Sequence, residues 1–303
     1  MNPPAPGTTR APISSDLSPA AINPYLGLLA ATIAVSFSAI LIKDSHAPAL
    51  VIAAYRMIIT TLLLVPFLRR SHLARIGALN AKARGLTALS GLLLALHFAF
   101  WTASLAYTSV ASSVLFVSVH PALVAAAGVV LLGERPSRRA VAGIVLTLVG
   151  SAVIAGGDFR LGGQAIKGDG LAVLGAVVFA GYLVIGRGAR QRLDNIAYSI
   201  PVYALCAGVL VVLSVAFGQS LTAVGSRDLL DFLALAVVCT LGGHLLYNWT
   251  LRYLPAAAVS ISFLGEPVGA SLLAWLLLGQ QPPATSAGGG AIVLAGIWLT
   301  IRS

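Results

Sequence analysis

Charge is scarce in this chain: Asp, Glu, Lys and Arg together make up 9% of its 303 residues. Soluble domains carry about 25%, so a conventional water-facing surface is excluded, and 58% hydrophobic residues with a mean hydropathy of +0.94 leave lipid as the surrounding medium. Cysteine is nearly absent. Cys206 and Cys239 both stand inside apolar runs, where a small buried hydrophobe fits better than a disulfide frame or a metal set. The five histidines form no HExxH pattern, which removes the zinc-peptidase arrangement. No Gly-rich phosphate loop occurs, so ATP-driven chemistry on this chain is not expected. Paired deep carboxylates are missing too, Glu266 being the one acid far inside an apolar run. GGDF at 156–159 reads as a turn at a helix end. No cofactor, metal or enzymatic activity is expected. The net charge of +10 raises the question of nucleic acid, but the basic residues fall between apolar runs, the placement of a membrane protein rather than a nucleic-acid binder.

What the chain has is long apolar runs. A crossing helix needs about twenty such residues, and reading from charge to charge predicts crossings at 24–42, 48–68, 85–105, 109–132, 138–156, 169–187, 196–217, 228–250, 256–279 and 284–301. The expected fold class is an all-α polytopic membrane protein of ten helices, since spanning backbone must satisfy its own hydrogen bonds. Residues 1–23, rich in Pro, Ser and Thr, read as a disordered cytoplasmic lead. The connections 69–84, 134–139 and 187–192 hold five, three and three basic residues, whereas 43–47, 158–169 and 226–231 are nearly balanced or acidic. Positive loops stay inside the cell, so both termini are expected in the cytoplasm of a bacterial inner membrane.

The chain also repeats itself. At an offset of 146 residues, Leu105, Tyr107, Ala111, Pro121, Leu131, Leu132, Gly133, Pro136, Gly143, Leu148 and Gly150 fall on Leu251, Tyr253, Ala257, Pro267, Leu277, Leu278, Gly279, Pro282, Gly289, Leu294 and Gly296. Crossings three to five thus match eight to ten. The expected halves are 24–156 and 169–303, joined by an extracytoplasmic linker at 157–168. Because five crossings per half is an odd number, the second half enters the membrane upside down. The turn after crossing nine then lies outside, which accounts for Gln280 and Gln281 where its counterpart has Glu134 and arginines. Inverted halves around a shared site suit alternating access, hence transport.

Four stretches, HAPALVIAAYRM (46–57), VASSVLFVSVHPALVAAAGVVLLGE (110–134), RAVAGIVLTLVGSAVI (139–154) and PAAAVSISFLGEPVGASLLAWLLLG (255–279), resemble in order and spacing the ten-helix EamA-type exporters of the drug/metabolite transporter superfamily. The resemblance is nearest to the YddG-type aromatic amino-acid exporters, and it implies a monomeric exporter of small metabolites in the lipid bilayer. Sugar-phosphate and nucleotide-sugar carriers of the superfamily use basic cavity residues; here no lysine follows Lys167 and no arginine stands inside a crossing of the second half, Arg187 closing the first of them. The first-helix glutamate associated with the small multidrug branch is absent from 26–42.

Polar and aromatic groups at mid-bilayer are the substrate-site candidates. His97 and Trp101 stand four apart, on one helical face, and His244, Tyr247 and Asn248 share a face in the corresponding crossing. Trp101 and Tyr247 are repeat equivalents, as are His120-Pro121 and Glu266-Pro267. Pro121 and Pro267 remove a backbone donor and open each helix, marking hinges. Arg56 either bridges Glu266 or is satisfied elsewhere while Glu266 meets a substrate ammonium. Tyr182, Ser36 and Ser38 are further candidates. The expected cargo is an aromatic or other neutral amino acid; the alternatives are multidrug or other metabolite export, a channel, or an intramembrane enzyme.

Overall fold

The computed structural model describes residues 22–108, 110–132, 137–156, 163–278 and 284–302. Among them the regular elements are all helical: α1 (Pro24–Val35), α2 (Ser38–Asp44), α3 (Ala49–Leu64), α4 (Arg70–Gly77), α5 (Ala81–Ser104), α6 (Val110–Val117), α7 (His120–Leu132), α8 (Arg138–Gly156), α9 (Gly163–Arg190), α10 (Asn195–Ala216), α11 (Ser226–Ala234), α12 (Leu245–Thr250), α13 (Ala256–Ser262), α14 (Glu266–Leu278) and α15 (Ala284–Ile301). A π-helical stretch, Leu235–His244, joins α11 to α12, and a 3-10 turn, Phe263–Gly265, joins α13 to α14. Helix starts follow from local chemistry. Asn23, Asn80 and Asp194 accept hydrogen bonds from the N–H groups of Tyr25, Ala83 and Ala197 at 3.0, 2.9 and 2.9 Å, while Pro48 and Pro255 stand just before α3 and α13.

Six segments are long and apolar enough to cross a bilayer: Pro24–Asp44, Ala49–Phe67, Ala81–Ser104, Gln164–Arg190, Asn195–Ala216 and Ser226–Thr250. The expected crossings at 109–132 and 256–279 are instead broken, at Ser118-Val119 and at Phe263–Gly265. Each break immediately precedes a residue followed by proline, whose missing N–H interrupts the ladder. The connection 69–84 also holds a short helix, α4, that charge counting alone took for a loop. Most of the lead, the turns with Gly133, Glu134, Pro136, Gly279, Gln280, Gln281 and Pro282, and residues 157–162 lie outside the described residues.

The outer faces carry exposed Leu26, Leu29, Val130, Val212, Val215 and Leu276, an apolar girdle that suits lipid. Inside, small residues bring helices close. On α8 and α15, a Cβ added at Gly143 would lie 2.7 Å from the Gly296 carbonyl, and one at Gly150 would lie 2.7 Å from that of Gly289. The early part of α8 therefore meets the late part of α15 and the reverse, an antiparallel contact between equivalent helices of the sequence repeat. Gly143→Leu is expected to destabilise the fold by about 1–3 kcal/mol through overpacking, read as a lowered unfolding temperature of the detergent-solubilised protein.

Outside the membrane, Asp194 ties α4 to α10. It receives Arg75 Nη1 at 2.9 Å, lies 3.7 Å from His72 Nε2 and caps Ala197. Partial burial works upward on its carboxyl, but the Ala197 N–H and the His72 and Arg75 charges outweigh it and hold the pKa below the ordinary value. A depressed carboxylate stabilises the fold above its unfolded pKa, and that contribution fades as pH falls through the folded one. Asp194→Ala should cost about 1 kcal/mol near neutrality, and its difference from the parent in unfolding experiments should shrink below the normal carboxylate range.

Candidate functional site

The broken helices, α5, α9 and the π-helical stretch converge on a cavity of about 20 Å³ lined by Val35, Ser38, His97, Trp101, Val117, His120, Phe179, His244, Phe263 and Glu266. Proline chemistry builds one wall. Pro121 cannot donate to the carbonyl of Val117 four residues back, and His120 Nδ1 takes that acceptor at 2.8 Å. A carbonyl only accepts, so the ring proton sits on Nδ1. In the second half the carbonyl left free by Pro267 belongs to Phe263 and accepts the Glu266 backbone N–H instead. His97 Nδ1 donates likewise to the Gly175 carbonyl on α9 at 3.1 Å, which holds its ring against Phe179 at 4.3 Å, with Trp101 parallel to it at 6.1 Å.

Unpaired polar atoms distinguish this cavity from ordinary packing. Trp101 Nε1 and Glu266 Oε1 are buried without a hydrogen-bond partner, and His120 Nε2 faces the Ser260 backbone without a well-formed bond. Buried polar groups are as a rule satisfied. A donor and a carboxylate oxygen left open on one small cavity leave partners for a bound molecule or water to supply.

Of the expected site residues, His97, Trp101, His120, His244 and Glu266 meet here, with Ser38. Tyr247 and Asn248 diverge: at three and four residues beyond His244 they point to either side of it. Tyr247 stacks behind Phe263 at 3.7 Å and shares a 2.7 Å hydrogen bond with Thr32. Asn248 joins a second polar layer, accepting from Tyr182 at 2.7 Å and donating to Tyr203 at 3.0 Å. Ser36 bonds the Thr32 carbonyl at 2.8 Å. Arg56 makes no ion pair with Glu266; Nε donates to Thr240 at 2.7 Å, and the guanidinium lies 4.4 Å over the Phe98 ring with both terminal nitrogens unpaired. The expectation of a second half without membrane-embedded arginine needs correction as well. The crossing extends to Arg190, which is 1% exposed, donates to the Asn248 carbonyl at 2.8 Å and stands apart from the cavity.

Phe179 and Phe263 were not anticipated, although each stands three residues before a residue that was, Tyr182 and Glu266. The offset of 146 pairs Phe263 with Val117, and both line the cavity. This inequality shapes the site: the large ring covers Tyr247, whereas the small Val117 leaves its counterpart Trp101 on the cavity wall.

Together these features define a polytopic membrane protein with an enclosed central site between broken helices. The EamA-like transporter family matches the chain twice, over residues 23–156 and 166–302, and the chain belongs to that family of transporters. It is 25% identical over 219 residues to an uncharacterized transporter of Archaeoglobus fulgidus, covering 70% of this chain and 73% of that protein. It is also 35% identical over 68 residues to the permease-like protein YdzE of Bacillus subtilis, covering 22% of this chain and 87% of the other. A crystal structure of a protein 22% identical in sequence superposes with a TM-score of 0.73 over 92% of this chain and 96% of that one, a likeness of fold.

Proposed function

We propose that this transporter exports aromatic and other neutral amino acids from a bacterial cytoplasm. It works as a monomer by alternating access between two inverted five-helix halves, 24–156 and 169–303, with both termini in the cytoplasm. The observation that carries the cargo reading is the pairing of the open Glu266 oxygen and Trp101 indole N–H on one aromatic-walled cavity. The carboxylate would take the substrate ammonium, the indole N–H its carboxylate, and Trp101 with His97 and Phe179 would flank a planar side chain. The reciprocal glycine contacts of α8 and α15 and the two family matches support the inverted halves. A cavity of about 20 Å³ holds one water molecule, well short of the roughly 300–1,000 Å³ of an open ligand pocket. Cargo therefore enters only after the walls separate, as a carrier requires and a standing pore does not.

The test is flux into vesicles holding the purified protein, screened over amino acids, quaternary amines and nucleotide sugars. Saturable, countertransport-stimulated flux of aromatic amino acids is expected; flux confined to the other two classes overturns the cargo, and unsaturable leak overturns the carrier. Phe263→Val should widen the cavity toward Tyr247 and shift the preference toward tryptophan over alanine, read by competition in the same vesicles.

A further inference from the structure

We propose a binding site for one anionic phospholipid in the groove between the start of α5 and the end of α9. The groove has a volume of about 360 Å³ and is distinct from the central cavity. Its walls are graded. Lys82 and Arg192 line it at the helix ends, while Leu86, Val184 and Ile185 line it further in; Ile185 and Val184 lie five and six residues inside the Arg190 terminus of α9, or about 8 Å along its axis.

The charge of this groove is uncompensated. Neither Lys82 nor Arg192 forms an ion pair among the described residues, and no acidic residue lines the groove. The nearby Asp194 is engaged by Arg75 and His72. Arg69, Arg70 and Arg84 add positive charge in the same connection. A phosphate between Lys82 and Arg192 with an acyl chain along Leu86 and Val184 satisfies both ends of the gradient, which a soluble anion or a neutral lipid does not. Basic pockets between membrane helices recognise lipid headgroups in this way. Gly188 also lines the groove, and a Cβ there would meet nothing within 4 Å, so the space beside it is free for a ligand. The two helices joined at this point carry His97, Trp101 and Phe179, so a lipid wedged here braces one wall of the central site.

The experiment is native mass spectrometry of the delipidated full-length protein titrated with phosphatidylglycerol and, separately, with phosphatidylcholine of the same acyl chains. The parent should bind one phosphatidylglycerol in clear preference. Lys82→Gln with Arg192→Gln should lower that preference about tenfold or more, leaving phosphatidylcholine adducts unchanged. Gly188→Leu, which fills the groove and leaves both charges in place, should remove the preferred adduct. Unchanged selectivity in these variants overturns the site, as does displacement of phosphatidylglycerol by millimolar inorganic phosphate, which would make it a pocket for soluble anions. Because one variant alters charge and the other volume, loss through misfolding of either one leaves the other to decide, with monodisperse elution as the check.

Discussion

Replacing Glu266 by glutamine is expected to weaken binding of an ammonium-bearing substrate by about 10- to 100-fold. Hydrogen bonds to charged groups contribute about 1.5–3 kcal/mol, and each 1.4 kcal/mol is about a factor of ten in affinity. Glutamine keeps the shape of the side chain and removes only its capacity for charge. Arg56 keeps its direct contacts in the variant, because its Nε donates to Thr240 and its guanidinium lies over Phe98, with no ion pair to Glu266 to break. The fold should therefore survive, and the variant should elute and unfold as the parent does. The check is binding and vesicle flux of phenylalanine beside its desamino analogue, which lacks the ammonium. A large loss for phenylalanine with little for the analogue is expected; equal losses would move the role of Glu266 from the substrate to the protein's own packing.

Trp101→Ala should cost a similar amount but select a different part of the cargo. Stacked aromatic pairs contribute about 0.5–1.5 kcal/mol beyond the area they bury, and the indole N–H adds about one hydrogen bond. Affinity for aromatic amino acids should fall about 10-fold or more, with a smaller fall for alanine. Tyr247 provides the internal comparison. It is the repeat equivalent of Trp101, yet it stands behind Phe263 with its hydroxyl on Thr32, so Tyr247→Phe should leave affinity nearly unchanged. Equal effects at the two positions, measured by substrate competition in vesicles, would contradict the asymmetric wall formed by Val117 and Phe263.

The parts of this architecture that were legible in sequence are those written in rare residues. His120-Pro121 and Glu266-Pro267 marked the helix breaks beside the cavity through the loss of a backbone donor, whereas the turn at Ser36-Phe37 carries no proline and Pro201 leaves α10 unbroken. The glycines matched at the offset of 146, Gly143 with Gly289 and Gly150 with Gly296, are the ones through which α8 and α15 approach closely. Phe179 and Phe263 were hidden by the surroundings of the protein: where both the lipid face and the interior are apolar, hydrophobicity does not say which phenylalanine turns inward. The divergence of Tyr247 from Asn248 depends on which neighbours stand beside α12, namely Thr32 on one side and Tyr203 on the other, and a single helix carries no record of that. Arg56 was open in the sequence between an ion pair with Glu266 and a partner elsewhere; that partner is Thr240, at the π-helical stretch, a backbone irregularity with no signature in composition.

The central claim is that two upended halves enclose the site, and helix polarity tests it most directly. Because α8 and α15 pack antiparallel through Gly143, Gly150, Gly289 and Gly296, the proposed arrangement puts their first residues on opposite sides of the bilayer. In a background free of Cys206 and Cys239, Ser137→Cys and Ala284→Cys should react with a membrane-impermeant maleimide from opposite faces of oriented vesicles, the first from the cytoplasmic side. Labelling of both from one face would contradict the inverted arrangement and the alternating-access reading built on it.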